Sequence, residues 1–210
     1  MKKQDIQTFF ERLREQKPEP QGELFHTNPY TLLVAVVLSA QATDKGVNKA
    51  TPALFEAAPT PQKMLVLGED NVRDLIKTIG LFNTKAKNVI KLSQSLIDNH
   101  NGEIPQTREE LIKLAGVGRK TANVVLNMAF GHPTIAVDTH IFRIGNRTGM
   151  AKGKTPDHVE DKLEKVIPKE FLLHAHHWLI LHGRYVCVAR KPKCSECIVS
   201  DLCNFKDKII

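Results

Sequence analysis

The sequence has no cysteine in its first 186 residues and no long apolar run. All four cysteines lie between Cys187 and Cys203, which is not how a secreted, disulfide-stabilised protein distributes them. The longest apolar run, Leu32–Leu38, is far below the roughly 20 residues that a membrane span requires. The N-terminal residues also lack the apolar core of a secretory signal. We therefore expect a cytoplasmic protein that has no membrane partner.

Alternation of apolar and polar residues, the pattern of a half-buried strand, is also scarce, whereas helix start and stop signals recur. The sequence predicts an all-α chain of about ten helices with short connections. Thr84, Asp138 and Thr155 are expected to precede helices. Leu33–Leu38 fits either a buried helix or a buried strand. Pro52 is expected to start, kink or break the helix in which it lies.

The chain carries an excess of positive charge. Its 210 residues are enough for one large domain or two small ones. Lys and Arg number 30 against 23 Asp and Glu, which gives a net charge of +7 at pH 7. This balance favours a polyanionic partner such as nucleic acid. Many basic proteins bind no acidic partner, however, so the charge alone leaves the partner open.

The four cysteines, Cys187, Cys194, Cys197 and Cys203, follow the pattern C-x6-C-x2-C-x5-C. Thiols so close in sequence can reach one centre, and unbound they would be an oxidation hazard. Structural zinc sites usually offer two close cysteine pairs separated by a longer insert, whereas only Cys194 and Cys197 form such a pair here. The spacing favours a 4Fe-4S cluster over zinc, which stays the alternative.

Three cations, Arg190, Lys191 and Lys193, lie between the first two cysteines, and Arg184 lies just upstream. A run of this kind is often only a solvated loop. A loop that metal anchors at both ends is, however, well placed to bind DNA phosphates and release their counterions. On that interpretation the metal braces a DNA-contacting loop.

The segment GVGRKT at 116–121 lies between two stretches with helical periodicity. Its glycines permit a hairpin of a few residues, and the amides that start the second helix face outward at the positive end of the helix dipole. One interpretation is a plain turn between helices. The other is a phosphate clamp, in which the backbone of Gly116, Val117 and Gly118 binds phosphate and reads no base.

Two residues near this segment have the chemistry of catalytic groups. Lys120 lies in the first turn of the second helix, where the helix dipole and Arg119 disfavour an ammonium. A reactive neutral amine is therefore one expectation, and a phosphate-binding cation is the other. Asp138 follows the apolar segment 135–137 in the position of an N-cap. An N-cap carboxylate can also face a cleft, so capping and catalysis are compatible.

Together, LAGVGRKTANVVL at 114–126, AVDTHIFRIGNRTG at 136–149 and the cysteine pattern resemble the endonuclease III family of helix-hairpin-helix DNA glycosylases. LSAQATD at 38–44 and IGLFNTKAKNV at 79–89 are also similar to that family, so the likeness covers nearly the whole chain. Lys120 matches the lysine nucleophile of the family, which the related adenine glycosylases lack. Many relatives have proline where this chain has Ala115.

The resemblance implies an all-α fold of two lobes with DNA bound between them. One is a helical-barrel lobe over 22–132, which includes a helix-hairpin-helix at about 108–130. The other is a cluster lobe built from 1–21 and 133–210, with the iron–sulfur loop at 187–203. The resemblance also implies that the apolar stretch discussed above is a buried helix.

The activity that the resemblance implies is base excision repair of double-stranded DNA containing damaged pyrimidines or abasic sites. Lys120 would attack C1′ of the sugar, and Asp138 would stabilise the positive charge or assist proton transfer. The Schiff base would permit β-elimination, so glycosylase and abasic-site lyase activities would share one amine. Gln41 would fill the space left by the flipped base, and Leu81 would wedge the opposite strand. The remaining implied DNA contacts are Gly116, Val117, Gly118, Arg184, Arg190, Lys191 and Lys193, with His140 near the site.

Two other functions stay open at the level of sequence. A monofunctional glycosylase would use water as the nucleophile and Lys120 only as a phosphate ligand. A non-enzymatic DNA-binding module would use the hairpin and the metal-braced loop alone. We expect a monomer associated with the nucleoid through DNA. The sequence does not rank the oxidised pyrimidines or indicate redox activity of the cluster, and the histidines from His174 to His182 are assigned no metal.

Overall fold

A computed structural model describes residues 1–209 of the chain. Within this range the chain forms eleven α-helices and one 3₁₀ helix, and no strand, which confirms the all-α prediction. None of the helices in the described range is long and apolar enough to cross a membrane. The helices are α1 (Lys3–Gln16), α2 (Pro29–Ser39), α3 (Asp44–Ala57), α4 (Pro61–Leu67), α5 (Glu69–Ile76), α6 (Phe82–His100), α7 (Arg108–Leu111), α8 (Arg119–Phe130), α9 (Thr139–Thr148), α10 (Pro156–Val166) and α11 (Lys169–Tyr185), with the 3₁₀ helix at Cys194–Glu196.

Short polar side chains set the start of many of these helices. The side chains of Asp138 and Thr155 accept backbone N–H groups in the first turns of α9 and α10, as predicted. The prediction that Thr84 precedes a helix is wrong, because α6 already begins at Phe82. The residue before it, Leu81, adopts a left-handed backbone with φ 59° and ψ 26°, which turns the chain into the helix without a side-chain cap.

The chain divides into two compact units, of which Glu23–Gly131, here called the central unit, is continuous in sequence. It contains α2–α8, and α2 packs against α3, α6 and α8. Every side chain from Tyr30 to Leu38 is buried. A helix that is apolar on all sides belongs in a core. The stretch Leu33–Leu38 is therefore a buried helix, as the family resemblance implied, and not a strand.

The helix α3 continues through Pro52. The proline therefore neither starts nor ends the helix, contrary to two of the three expected outcomes. It has no N–H to donate to the carbonyl one turn earlier, so α3 lacks one backbone hydrogen bond. Val47 and Leu54 are both fully buried on either side of this gap. Their packing holds the helix where its hydrogen bonding is incomplete.

The second unit, here called the terminal unit, combines Met1–Gly22 with the chain from His132 onward. Aromatic rings join its two ends. Phe10 of α1 stacks on Phe171 of α11 with ring centroids 5.7 Å apart, and Trp178 lies 6.3 Å from Phe10. The Trp178 Nε1–H donates to the carbonyl of Lys17 at 2.7 Å. These contacts fasten α1 to α11, which in turn packs against α9.

Replacing Phe10 with alanine is expected to destabilise the terminal unit by about 3–5 kcal/mol, because the lost ring leaves a cavity. Trp178 is the single tryptophan of the chain, so its fluorescence during urea unfolding reports on this aromatic cluster. Val66→Ala is the matched control, because Val66 is 89% exposed. Equal urea midpoints for the two variants would contradict the proposed packing.

Candidate active site and metal centre

The turn between α7 and α8 requires glycine at one of its two glycine positions. Gly116 has φ +78°, and a Cβ there would lie 3.0 Å from Asn88 Nδ2 and 3.2 Å from Val37 Cγ1. Gly118 instead has an extended backbone with φ −99°, and a Cβ there would meet no atom within 4 Å. The hairpin thus depends on Gly116 for its conformation, whereas Gly118 leaves open space at the start of α8.

The N-terminus of α8 has no side-chain cap. Its N-cap is Gly118, which has no side chain to cap the helix as Thr or Asp does elsewhere in the chain. Unsatisfied amides and the helix dipole together make such an end an anion-binding site. Lys120 is exposed in this first turn, and Val117 is buried beneath it in the hairpin. The geometry suits a phosphate group next to an accessible amine.

Another lysine of the central unit has a lowered pKa but is buried, so a substrate cannot reach it. Lys85 in α6 is 4% exposed, and its Nζ has no hydrogen-bond partner among the described residues. Burial lowers the pKa of this amine, which favours its neutral form. A neutral amine is nucleophilic only if a substrate can reach it. Lys85 is therefore excluded by burial as an attacking group, and Lys120 is not.

Gln41 and Leu81 lie in neighbouring turns of the central unit. Both have left-handed backbones, with φ 53° and 59°, which is uncommon for residues other than glycine, asparagine and aspartate. A Cβ built on Gly80 would lie 3.9 Å from the carbonyl oxygen of Gln41, so the two turns approach each other closely. Leu81 is 57% exposed. The structure thus brings the backbones of two turns together, and Gln41 and Leu81 are both exposed there.

In the terminal unit, Asp138 caps α9 through one carboxylate oxygen. Its Oδ1 accepts the backbone N–H groups of His140 and Ile141, each at 2.9 Å. The cap predicted from the sequence is therefore confirmed. Oδ2 takes no part in it, and the half-buried carboxylate follows a buried apolar segment. One oxygen holds the helix start, and the other lies outside the cap.

Two arginines of α9 that the sequence analysis missed hold the cysteine loop by its backbone. Arg143 Nε donates to the carbonyl of Cys187 at 2.9 Å. Arg147 donates to the carbonyls of Val188 and Ala189 at 2.7 and 2.8 Å. The only local signal is their spacing of four residues, which places both on one face of a helix. Nothing in that spacing identifies carbonyl groups more than forty residues away as their partners.

The four cysteines line one pocket, together with Arg147, His182 and Lys193. All four are free thiols of intermediate exposure. Burial raises the pKa of Cys197, and the three other cysteines raise it further. Burial likewise raises the pKa of Cys203. Binding of metal must therefore displace protons that the empty loop would retain.

The four thiols can serve one metal centre, because they line one pocket. The sulfurs of a zinc site all bind one ion, whereas the cysteines of a 4Fe-4S cluster bind different irons. Four thiols in one pocket supply the number and type of ligands that such a cluster requires.

His182 contacts this pocket through Cys197. Its Nε2 lies 3.6 Å from the Cys197 sulfur, and burial lowers the pKa of His182 to about 4. The imidazole is therefore neutral at neutral pH. A metal-bound thiolate only accepts hydrogen bonds, so Nε2 would be the donor, as is common for groups around metal ligands. No role for this histidine was evident from the sequence.

The cations of the cysteine loop are directed to solvent. Arg190, Lys191 and Lys193 are all exposed, and Arg184 at the end of α11 is partly exposed. Lys191 has a left-handed backbone with φ 51°, and the N–H of Lys193 donates to the carbonyl of Val186 at 3.0 Å. The loop therefore holds its three charges in a defined backbone conformation, which a plain solvated loop does not require.

Replacing Cys197 with alanine is expected to remove bound iron and its visible absorption, because one of four ligands is lost. Wild-type protein should contain about four irons per chain if the cluster is of the 4Fe-4S type. Ser195→Ala is the matched control, since Ser195 is exposed between two cysteines and should leave the iron content unchanged. Colourless wild-type protein with one zinc per chain would contradict the cluster.

Known proteins with this fold and loop are enzymes of DNA repair. Residues 34–169 match the family model of the HhH-GPD superfamily of base excision DNA repair proteins, and residues 187–203 match that of the iron-sulfur binding domain of endonuclease III. The chain is 65% identical over 198 residues to endonuclease III of Haemophilus influenzae and 60% identical over 198 residues to that of Escherichia coli K12, and each comparison covers 94% of both chains.

A solved structure supports the same relationship. The chain is similar to a trapped covalent intermediate of endonuclease III with DNA, with a TM-score of 0.90, 46% identity and coverage of 97% of this chain and 96% of that chain. The resemblance inferred from the sequence is confirmed. The chain therefore belongs to the HhH-GPD superfamily of base excision DNA repair proteins and carries the iron–sulfur binding domain of endonuclease III.

Proposed function

We propose that this chain excises oxidised pyrimidines from double-stranded DNA and cleaves the strand at the abasic site through a Schiff base on Lys120. Its family makes it a DNA glycosylase and lyase of base excision repair. The observation that carries the covalent step is the similarity to endonuclease III trapped as a covalent intermediate with DNA. The exposed amine in the first turn of α8 supports Lys120 as the attacking group.

Lys120 acts on the sugar in its neutral form. Its Nζ attacks C1′, the bond from C1′ to the damaged base breaks, and the base departs with the bonding electrons. The amine loses a proton, the C1′–O4′ bond of the sugar ring breaks with its electrons going to O4′, which takes up a proton, and the C1′–Nζ bond becomes an iminium. This iminium acidifies the C2′ proton, so that loss of the proton drives β-elimination and expels the 3′ phosphate. One amine thereby performs base removal and strand cleavage.

Asp138 stabilises the positive charge that develops on the sugar as the base departs. A fixed carboxylate in a site with little water is effective because it needs no reorganisation during the reaction. The cap supports this role, since two backbone N–H groups hold Oδ1 while Oδ2 lies outside the cap. The same carboxylate can accept a proton from the attacking amine or from C2′.

Backbone and side-chain groups of the central unit bind the DNA. The amides of Gly116, Val117 and Gly118 and the uncapped start of α8 hold a phosphate, and they carry no sequence preference because phosphate contacts read no base. Gln41 occupies the space that the flipped base leaves, and Leu81 enters between bases of the opposite strand. The exposed, left-handed turns at these two residues support that assignment.

The terminal unit contributes a second phosphate-binding surface. The iron–sulfur binding domain at 187–203 makes a cluster the cofactor of this chain. When bound, the cluster cross-links the loop and so braces it. Arg184, Arg190, Lys191 and Lys193 bind DNA phosphates beside it, and His140 binds near the reacting nucleotide. Lys120 belongs to the helical-barrel lobe at 22–132, and Asp138 belongs to the cluster lobe, 1–21 with 133–210.

The enzyme acts as a monomer in the cytoplasm on nucleoid DNA. Its net charge of +7 supports association with a polyanion. The confinement of all four cysteines to one metal-binding segment suits a compartment in which thiols stay reduced.

Replacing Lys120 with arginine is expected to abolish trapping by borohydride on abasic-site DNA, because guanidinium keeps the positive charge but is no nucleophile. DNA affinity should change by less than about threefold, since the phosphate contact survives. Lys63→Arg, which alters an exposed lysine of the same unit, is the matched control and should trap normally. Base release without trapping in the wild type would indicate a monofunctional glycosylase. The absence of both base release and trapping in the wild type would indicate a DNA-binding module.

Replacing Asp138 with asparagine is expected to lower turnover about 100-fold or more while leaving thermal stability unchanged. The amide oxygen still caps α9, whereas the negative charge that stabilises the sugar is lost. Single-turnover excision and thermal unfolding measure the two effects separately. Asp138→Ala removes the cap as well and should lose about 1 kcal/mol of stability. Full activity in Asp138→Asn would confine the residue to capping.

A further inference from the structure

The side chain of Arg143, in α9, contacts the end of α11, the cysteine loop and His140. Its Nη2 donates to the carbonyl of Gly183 at 2.7 Å and lies 3.1 Å from His140 Nδ1. Its Nε donates to the carbonyl of Cys187 at 2.9 Å. The guanidinium is thus oriented by two backbone carbonyls, one near the end of α11 and one in the cysteine loop. That orientation brings a fixed donor to the ring of His140.

The chemistry of this contact determines which nitrogen of His140 carries the proton. A guanidinium has five N–H donors and no acceptor. Nδ1 must therefore offer its lone pair to Nη2, and the proton of the neutral imidazole must reside on Nε2. A proton on Nδ1 would set two donors against each other at 3.1 Å. We propose that Arg143 holds His140 as the Nε2–H tautomer and so presents an N–H donor for a phosphate of the DNA.

The close packing of α11 on α9 keeps the ring in place. A Cβ on Gly183 would lie 2.8 Å from His140 Cβ and 3.1 Å from Ile144 Cδ1, so only glycine permits this approach. The backbone N–H of His140 is held by Asp138 at 2.9 Å. The position of His140 is therefore fixed at its backbone by Asp138, at its Cβ by Gly183 and at Nδ1 by Arg143.

Arg143 places a full positive charge beside the donor. His140 is the second residue of α9, whose positive dipole end the Asp138 carboxylate already caps, so the charge that favours an outside anion is that of Arg143. The side-chain hydrogen bond of His140 uses Nδ1, which leaves Nε2–H for an external acceptor. A neutral donor of fixed direction distinguishes a correctly seated phosphate from a merely nearby one. The identity of that acceptor as a DNA phosphate rests on the proposed function, whereas the tautomer does not.

The tautomer is tested on the cluster-containing protein labelled with ¹⁵N at its nine histidines. Long-range ¹H–¹⁵N spectra identify the protonated ring nitrogen, and loss of one signal set in His140→Gln assigns His140. We expect the Nε2–H tautomer in the wild type and a mixture in Arg143→Gln, because the glutamine amide can donate or accept. A wild-type Nδ1–H tautomer, or an unchanged tautomer in Arg143→Gln, would overturn the proposal.

Arg147→Gln is the matched control. Arg147 also holds carbonyls of the cysteine loop, at 2.7 and 2.8 Å, but its hydrogen bonds do not involve His140. General damage to the loop should therefore occur in both variants, as measured by iron content. A change of the His140 tautomer should occur only in Arg143→Gln. The same tautomer change in both variants would show that loop damage, and not the direct contact, is the cause.

Affinity for a duplex with a stable abasic-site analogue tests the donor itself. The amide nitrogen of glutamine reaches the place of Nε2, and that of asparagine reaches the place of Nδ1. His140→Asn should bind roughly tenfold more weakly than the wild type, and His140→Gln should retain most of the affinity. Equal affinities of the two variants would overturn the phosphate contact while leaving the tautomer result intact. Failure of borohydride trapping on Lys120 would instead contradict the proposed function.

Discussion

The carbonyl groups of the cysteine loop depend on donors from another part of the chain, and α9 supplies them. The loop has little regular structure of its own, so its backbone groups must be satisfied elsewhere. Arg143 and Arg147, one turn apart, donate to carbonyls of the loop and of α11. The helix that bears them is ten residues long and starts at the Asp138 cap. The helix that Asp138 caps therefore also holds the backbone of the cysteine loop.

The central unit holds two exposed residues in an uncommon backbone conformation. Gln41 and Leu81 hold left-handed backbones, a conformation that costs of order 1–3 kcal/mol for such residues. The buried α2 and the adjacent turns maintain it. Two exposed residues of the central unit therefore carry backbone strain in the free protein. Strain of this kind is concentrated at functional sites.

Sequence patterns correctly predicted features that depend on neighbouring residues in the chain. The N-caps at Asp138 and Thr155 were correct because a short polar side chain satisfies amides within three residues. The start of α6 was predicted at the wrong residue. The residue before it is Leu81, whose left-handed backbone takes the place of a side-chain cap, and no sequence rule predicts that conformation for leucine. The family resemblance supplied the two lobes and the functional roles. Arg143, Arg147 and Gly183 carry no local signal, since their partners lie some forty residues away in the chain.

The order of the two units along the chain also affects how the protein is made. Glu23–Gly131 is continuous, whereas the terminal unit is assembled from both ends of the chain. During synthesis the central unit can therefore fold as soon as it leaves the ribosome. The helix α1 must wait until Phe171 and Trp178 have been translated before Phe10 finds its partners. Its apolar face therefore lacks its partners for most of translation.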